Sequence, residues 1–226
     1  MKYLYIVAAA GTGKRMGMKK PKQFLEYGNE PIFIKTLKVI EKSKKVDEII
    51  VVTGEEFIDK VKEYCKTFKI KKLVNVVAGG KERQDSVNNV LKTIKNPQDY
   101  IIAVQDGVRP FIKEDFINGA YDTLLKEEID GVVTAAPVKD TVKVIDENGF
   151  IVKTPKRSSI YLAQTPQVFK GEVLKKAYEL AEKEEFLGTD DSSLVERIGG
   201  KVKVLEGSYD NIKITTVEDL IYFTDK

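Results

Sequence analysis

The sequence contains no histidine and no tryptophan, and Cys65 is its single cysteine. Without histidine, the chain has no imidazole acid–base catalyst, no histidine metal ligand and no Ser-His-Asp triad. A single cysteine excludes an internal disulfide and a cysteine-rich metal centre. Cysteine usage of this kind favours a cytoplasmic protein.

Charge and hydropathy argue against two classes of partner. The formal net charge is only +3 and is spread along the 226 residues, which does not indicate a nucleic-acid partner. No apolar run is long enough to cross a membrane, and the first residues lack the pattern and cleavage site of a signal peptide. We therefore expect a globular cytoplasmic protein without nucleic-acid or membrane partners.

Short apolar runs alternate with amphipathic segments along the first 140 residues, and further helices and one strand follow after residue 170. The runs predict strands near residues 3–7, 47–53, 72–77, 100–104 and 131–136. Amphipathic segments predict helices starting at residue 31 and near 57–68, 87–94, 116–124, 172–183, 191–198 and 217–223, with one more strand at 201–205. This alternation predicts an α/β fold with a doubly wound, mostly parallel, Rossmann-like sheet in a single domain over 1–226.

Two alternating runs, 141–145 and 150–154, are joined by a turn that contains Asn148 and Gly149. Asn-Gly between such runs is a strong signal for a β-hairpin. A lone two-stranded hairpin is only marginally stable in water. We therefore expect an arm over about 138–160 that packs against a second copy of the chain and forms a homodimer.

The segment after the first strand is rich in small residues and indicates a phosphate site. Glycines let a ligand approach the backbone, and backbone N–H groups surrounded by cations suit a polyphosphate. The cations are Lys14, Arg15, Lys19, Lys20 and Lys22. The Walker pattern fails at Ala8 and Arg15, and the dinucleotide fingerprint fails at Met16. The alternative is a structural turn with surface cations.

Two later loops also follow predicted strands, where ligands bind in open α/β sheets. Gly79-Gly80 and the polar residues up to Ser86 suit a nucleotide, or else an ordinary turn and helix cap. Asp106 suits Mg²⁺, which takes one or two protein carboxylates when phosphates supply its other ligands. Arg109 suits an anion, or else simply an ion pair with Asp106.

Eight motifs occur in order over most of the chain and carry a specific resemblance. They are Ala-Ala-Gly-Thr-Gly-Lys-Arg-Met-Gly (9–17), Pro-Lys-Gln-Phe (21–24), Gly-Gly-Lys-Glu-Arg-Gln-Asp-Ser-Val (79–87), Asp-Gly-Val-Arg-Pro (106–110), Ala-Pro-Val-Lys-Asp-Thr-Val-Lys (136–143), Arg-Ser-Ser-Ile-Tyr-Leu-Ala-Gln-Thr-Pro-Gln-Val-Phe (157–169), Thr-Asp-Asp-Ser-Ser-Leu-Val-Glu (189–196) and Asp-Asn-Ile-Lys-Ile-Thr (210–215). Together they resemble the 2-C-methyl-D-erythritol 4-phosphate cytidylyltransferases of the non-mevalonate isoprenoid pathway. The chain departs from the family at Gln105, where the family usually has histidine.

The resemblance implies a homodimeric enzyme that joins CTP to methylerythritol phosphate and releases pyrophosphate, with a divalent cation, Mg²⁺, as cofactor. The catalytic residues it implies are Arg15, Lys22, Arg157 and Lys213. The expected CTP site comprises Ala9, Ala10, Gly11, Gly13, Lys14, Gly80, Asp85, Ser86 and Asp106, with Asp106 also the metal ligand. The expected sugar-phosphate site comprises Arg109, Thr141, Arg157, Thr165, Thr189 and Lys213, some of them from the partner's arm.

The chemistry of this reaction agrees with the residue types present. The attacking phosphate oxygen is already ionised at neutral pH, so the reaction needs no general base, and the lack of histidine removes nothing. The sequence leaves two alternatives open. One is a ribitol 5-phosphate cytidylyltransferase, which has the same nucleotide half; the other is a non-catalytic nucleotide-binding module.

Overall fold

Strands and helices alternate in this computed structural model, which describes residues 1–11 and 21–223. The strands are β1 (Lys2–Ala8), β2 (Glu26–Tyr27), β3 (Glu30–Pro31), β4 (Glu48–Thr53), β5 (Leu73–Ala78), β6 (Tyr100–Asp106), β7 (Gly131–Pro137), β8 (Val144–Ile145), β9 (Ile151–Lys153), β10 (Tyr161–Lys170) and β11 (Val202–Glu206). The α-helices are α1 (Ile32–Lys42), α2 (Ile58–Thr67), α3 (Arg83–Leu91), α4 (Glu114–Lys126), α5 (Gly171–Lys183) and α6 (Asp191–Arg197). The last predicted helix is a 3₁₀ helix, Glu218–Phe223.

Within the described residues, the main sheet has seven strands in the order β11-β7-β10-β6-β1-β4-β5. β10 runs antiparallel to both of its neighbours, and the other strands are parallel to one another. The predicted doubly wound, mostly parallel α/β fold is therefore confirmed. Because the carboxyl ends of β1, β4, β5 and β6 lie at one edge, the loops that follow them converge there.

Helices cover both faces of the sheet, and the alternation of side chains along β1 shows why. Tyr3, Tyr5 and Val7 point to one apolar core, which also contains residues of α1, α2 and α4. Leu4 and Ile6 point to the other core, packed by residues of α3, α5 and α6. A strand buried on both faces has to be apolar throughout. Among the described residues, no helix combines the length and apolar character needed to cross a bilayer.

β10 was not predicted from the sequence. It contains Pro166, and proline inside a run argues against a central strand because it cannot donate to the ladder. The fold accommodates this residue at an irregularity, since the pairing with β7 shifts register between Ala163 and Gln167. β10 thus keeps its central place while the backbone around the proline leaves the regular ladder.

The predicted hairpin is present, but its strands are shorter than expected. β8 and β9 pair through Val144–Lys153 and Ile145–Ile151. The turn between them has Gly149 at φ +85°, a conformation that favours glycine. Apolar side chains on the arm are exposed, with Phe150 at 71% and Val152 at 62%.

Candidate active site

A cleft of about 390 Å³ opens at the edge of the sheet where β1 and β6 end. It brings together the loop after β1, the start of α3, the end of β6 and a segment near residue 213. The lining residues are Ala8, Ala9, Ala10, Gly11, Lys22, Gln23, Gly80, Lys81, Glu82, Arg83, Ser86, Asp106, Val108, Lys213 and Thr215. The cleft thus unites the three loops that the sequence singled out.

Close backbone packing shapes the side of the cleft where the CTP site is predicted. A side chain at Gly79 would place its Cβ 2.5 Å from the Cβ of Ala10, so only glycine lets these two loops meet. The Ser86 hydroxyl accepts the Gly80 N–H at 3.0 Å and donates to the Glu82 carbonyl at 3.0 Å. Gln23 holds the other loop by donating to the Ala9 carbonyl at 2.7 Å.

Asp106 is the electrostatic centre of the cleft and is 5% exposed. Its Oδ1 accepts from Arg83 Nε at 3.3 Å. Its Oδ2 lies 3.2 Å from Arg109 Nε and 3.0 Å from Lys213 Nζ. The Asp106 N–H donates to Thr165 Oγ1 at 3.1 Å, which fixes the backbone beneath the carboxylate.

Three cations around one carboxylate decide its ionisation. Burial acts to raise the pKa of Asp106, but the charges of Arg83, Lys213 and Arg109 outweigh it and hold the pKa well below its usual range. Asp106 is therefore ionised at neutral pH. With the Asp191 carboxylate on Arg83 included, three cations face two carboxylates, so the cluster keeps an excess of one positive charge, which suits a polyphosphate.

Arg83 and Asp191 were not predicted as site residues. Arg83 is the first residue of α3, and its Nη2 donates to Asp191 Oδ2 at 2.7 Å. The Tyr178 hydroxyl donates to the other oxygen of Asp191. Burial, followed by the Asp191 charge, raises the pKa of Tyr178 well above its ordinary value, so the hydroxyl keeps its proton. Arg83 lies within the motif at residues 79–87, but no local pattern reveals a partner 108 positions away.

Two predicted sugar-phosphate residues, Arg109 and Thr165, contact Asp106: Arg109 pairs with its carboxylate, and Thr165 accepts its backbone N–H. Arg109 is 7% exposed and donates through Nη1 to the Asn211 carbonyl at 2.6 Å. The Asp106–Arg109 ion pair that the sequence allowed is thus present. Asn211 also donates to the Thr165 carbonyl at 2.9 Å, so these residues form one buried network. Direct contact of Arg109 and Thr165 with a substrate remains a prediction.

Gln105, which replaces the family's usual histidine, is fully buried. Its Nε2 donates to the Asp106 carbonyl at 3.0 Å. Its Oε1 has no hydrogen-bond partner within the part of the chain that the structure describes. The side chain therefore braces the backbone of Asp106 through one of its two polar atoms.

The other predicted residues lie in several places. Thr141, Arg157 and Thr189 are exposed, and Arg157 donates to the Lys139 carbonyl at 2.9 Å. Asp85 does not line the cleft, because its carboxylate accepts the Glu82 N–H at 2.9 Å in a capping box at the start of α3. Gly13, Lys14 and Arg15 lie outside the described residues.

A divalent cation would find one main protein ligand in this cleft. Within residues 1–11 and 21–223, no cluster of three or more acidic or cysteine side chains is arranged to hold a metal. Asp106 alone still fits Mg²⁺, which commonly takes one carboxylate and completes its shell with substrate phosphates and water. Lys213, whose side chain is 37% exposed, is the most accessible of the three cations on Asp106. It is therefore the one best placed to leave the carboxylate when a metal ion binds there.

The chain was compared with known proteins by sequence and by structure. A family model for 2-C-methyl-D-erythritol 4-phosphate cytidylyltransferase (IspD) matches residues 3–224. A relative of that name from Fusobacterium nucleatum is 44% identical over 220 residues, covering 97% of this chain and 94% of the relative. Another of the same name, from Geobacter metallireducens, is 46% identical over 219 residues, covering 96% and 93%.

The structural comparison gives the same family. The crystal structure of a 4-diphosphocytidyl-2C-methyl-D-erythritol synthase from Anaerococcus prevotii superposes with a TM-score of 0.86 at 35% identity, covering 98% of this chain and 94% of that one. The match spans the sheet, the cleft and the arm together. The chain therefore belongs to the 2-C-methyl-D-erythritol 4-phosphate cytidylyltransferase family.

Proposed function

We propose that the Asp106 cleft is where this cytidylyltransferase joins CTP to 2-C-methyl-D-erythritol 4-phosphate. A phosphate oxygen of the sugar phosphate attacks the α-phosphorus of CTP. The bond from that phosphorus to the oxygen leading to the β-phosphate breaks, and pyrophosphate leaves. The products are 4-diphosphocytidyl-2-C-methyl-D-erythritol and pyrophosphate. The observation that carries this proposal is the convergence of Lys22, Lys213 and Arg83 on one cleft around an ionised carboxylate.

The residues of the cleft act by binding and orienting two anions. Gly80 and Ser86 line the side proposed for the nucleoside, and Gly11 lines the part proposed to bind the phosphates through backbone N–H groups. Lys22, together with Arg15, stabilises the charge that develops on the α-phosphate. The attacking oxygen is already an anion, so catalysis consists of alignment and charge neutralisation rather than proton removal.

We also propose that Asp106 holds Mg²⁺ together with oxygens of the triphosphate. When bound, the ion supplies further positive charge to the triphosphate and helps fix its geometry. The depressed pKa of Asp106 supports this role, because a ligand for a hard cation has to be ionised. The side chains that orient the carboxylate are Arg83, Arg109 and Lys213.

A homodimer formed through the arm completes the proposal. Thr141 and Arg157 are exposed near the arm, and apolar side chains of β8 and β9 face solvent. Packing of the arm on a second copy would cover these side chains and bring Thr141 and Arg157 to the partner's cleft. A CTP substrate and a buried free thiol at Cys65 both suit the cytoplasm, the location we propose.

Pyrophosphate release tests this function directly. The purified protein, with CTP and Mg²⁺, should release pyrophosphate with methylerythritol phosphate and much more slowly with ribitol 5-phosphate. EDTA should abolish turnover, and added Mg²⁺ should restore it. Faster turnover with ribitol 5-phosphate would transfer the assignment to that substrate, and CTP binding without pyrophosphate release would reduce the protein to a binding module.

A further inference from the structure

Arg83 joins two parts of the molecule through one side chain. Its Nε donates to Asp106 at 3.3 Å, and its Nη2 donates to Asp191 at 2.7 Å. A guanidinium can hold two carboxylates at once because its donors lie in a rigid planar fork, whereas the single ammonium of lysine cannot reproduce that geometry. The first carboxylate lines the cleft, and the second begins α6, two residues after Thr189.

Asp191 is a fully buried carboxylate with two fixed donors. Arg83 contacts one of its oxygens and Tyr178 the other. Burying a carboxylate is costly, and a buried ion pair is often no more stabilising than apolar residues of the same size. Stability alone therefore does not account for this arrangement, and the orientation that it imposes on Arg83 is its clearest consequence.

The loop before α6 is held in place by other side chains. Gln84 donates to the Phe186 carbonyl at 2.9 Å and accepts the Gly188 N–H at 2.9 Å. Gln167 donates to Asp190 at 2.8 Å and accepts the Ser192 N–H at 3.0 Å. Because these contacts anchor both ends of the loop, Asp191 is not needed for that purpose.

We infer that Asp191, held by Tyr178, is a positioning residue that keeps the Arg83 guanidinium on Asp106. The Arg83 side chain is 32% exposed and lines the cleft, so without Asp191 it is free to turn toward the bound triphosphate. Such a turn would leave Asp106 less firmly placed and would add a non-productive contact to CTP. The inference rests on the proposed function, because that function gives the position of Asp106 its importance.

This role predicts a split between turnover and binding. Asp191→Asn should lower kcat by about 10–100-fold, the range found for residues that orient a catalytic ligand, while the KM for CTP stays unchanged or falls. Tyr178→Phe removes only the hydroxyl. It should also lower kcat and leave the KM for CTP unchanged or lower, but by a smaller factor than Asp191→Asn. A residue with a merely structural role would lower the amount of folded enzyme instead.

A double-mutant cycle tests whether Asp191 affects turnover through Arg83 or independently of it. In an Arg83→Gln background, adding Asp191→Asn should change kcat by less than about twofold, because the side chain through which Asp191 acts is already gone. Thermal stability should rise in that background, since the substitution removes a buried carboxylate without a cationic partner. Asp130→Asn is the matched control: this acid contacts Lys170 and Lys201, away from the cleft, and should leave kcat unchanged in both backgrounds.

Equal kcat losses from Asp191→Asn in both backgrounds would overturn the inference, as would a wild-type kcat or a rise in the KM for CTP. If Asp191→Asn does not fold, Tyr178→Phe carries the same cycle: its smaller kcat loss should vanish in the Arg83→Gln background, whereas thermal stability should fall there because Asp191 loses the Tyr178 donor as well. Failure of the wild-type protein to release pyrophosphate would defeat the proposed function instead. The cycle is then measured as CTP affinity by calorimetry: Asp191→Asn should tighten CTP binding where Arg83 is present and leave it unchanged in the Arg83→Gln background, and weaker binding would overturn the inference.

Discussion

The cleft around Asp106 and the arm of β8 and β9 are built in opposite ways. At the cleft, Asp106, Arg109 and Thr165 are buried, and they are joined by hydrogen bonds that reach Asn211. On the arm, Ile151 is 61% exposed and Phe150 is 71% exposed, and the paired strands are only two and three residues long. The cleft thus holds its own shape, whereas the arm leaves apolar surface uncovered.

This difference separates what one chain supplies from what a second copy is proposed to supply. The Asp106 cleft is assembled on the sheet, with three cations held against a carboxylate of the same chain. The predicted sugar-phosphate residues Thr141 and Arg157 are exposed and flank the arm in sequence. Substitutions in the buried part of the chain and on the arm should therefore differ in what they change and by how much.

The greatest contrast is expected in thiol chemistry. Burial, and to a smaller degree the Glu41 charge, raises the pKa of Cys65 to about 12, so very little of it is thiolate. An exposed thiol has a pKa of about 8.5, so at pH 8 a cysteine placed by Glu147→Cys should react with iodoacetamide on the order of 10³ times faster than Cys65. Peptide mapping of dilute protein would measure both rates. Comparable reaction rates at the two cysteines would contradict a core that keeps Cys65 buried while the arm is exposed.

The next largest effect is expected at Lys22, which lines the cleft. Lys22→Ala should lower turnover on the order of 10²–10³-fold with the fold intact, by analogy with the loss of one transition-state donor. Steady-state kinetics would measure turnover, and a thermal melt would show whether the fold is intact. Lys44→Ala removes an exposed lysine away from the cleft and is the control. Turnover like that of the wild type would refute the role of Lys22.

Arg157 should affect one substrate only. Arg157→Ala should raise the KM for methylerythritol phosphate by about 10–100-fold, the equivalent of a lost charge-assisted hydrogen bond, and leave the KM for CTP unchanged. Arg197→Ala, which removes an exposed arginine paired with Glu184, is the control. A change confined to the KM for CTP would contradict the role of Arg157 in binding methylerythritol phosphate.

The smallest effect concerns assembly. Ile151→Lys should raise the dissociation constant of the homodimer about tenfold or more, because a charge would replace an apolar side chain worth about 2 kcal/mol on burial. Sedimentation velocity over a dilution series would measure it. Val74→Lys is the matched control, since Val74 is also exposed, at 55%, but lies on β5, an edge strand of the main sheet, and not on the arm. Equal effects of the two substitutions would argue against dimerisation through the arm.

The sequence predicts the cleft well, since its signals are local. Strand periodicity places the ends of β1, β5 and β6, and parallel strands end at one edge. Ala9, Gly80 and Asp106 therefore had to meet, and they do. Glycine at position 79 could also be foreseen as a close approach, although its partner Ala10 could not.

The remaining features depend on tertiary structure. β10 was missed because Pro166 breaks its pattern, and only the neighbouring strands show how a bulge absorbs it. The Arg83–Asp191 pair joins two helix starts that no spacing rule relates. The Asp85 carboxylate caps α3, the local alternative that the sequence allowed for this segment, and its contact with CTP remains a prediction.

A crystal structure with Mg²⁺ and a non-hydrolysable CTP analogue tests the central claim most directly. We expect the base beside Gly80 and Ser86, the triphosphate beside Gly11 and Lys22, and Asp106 on the metal. A second cavity of about 410 Å³, lined by Lys2, Glu48 and Tyr100, lies at the opposite end of β1. An analogue bound there, or anywhere else remote from Asp106, would contradict the account.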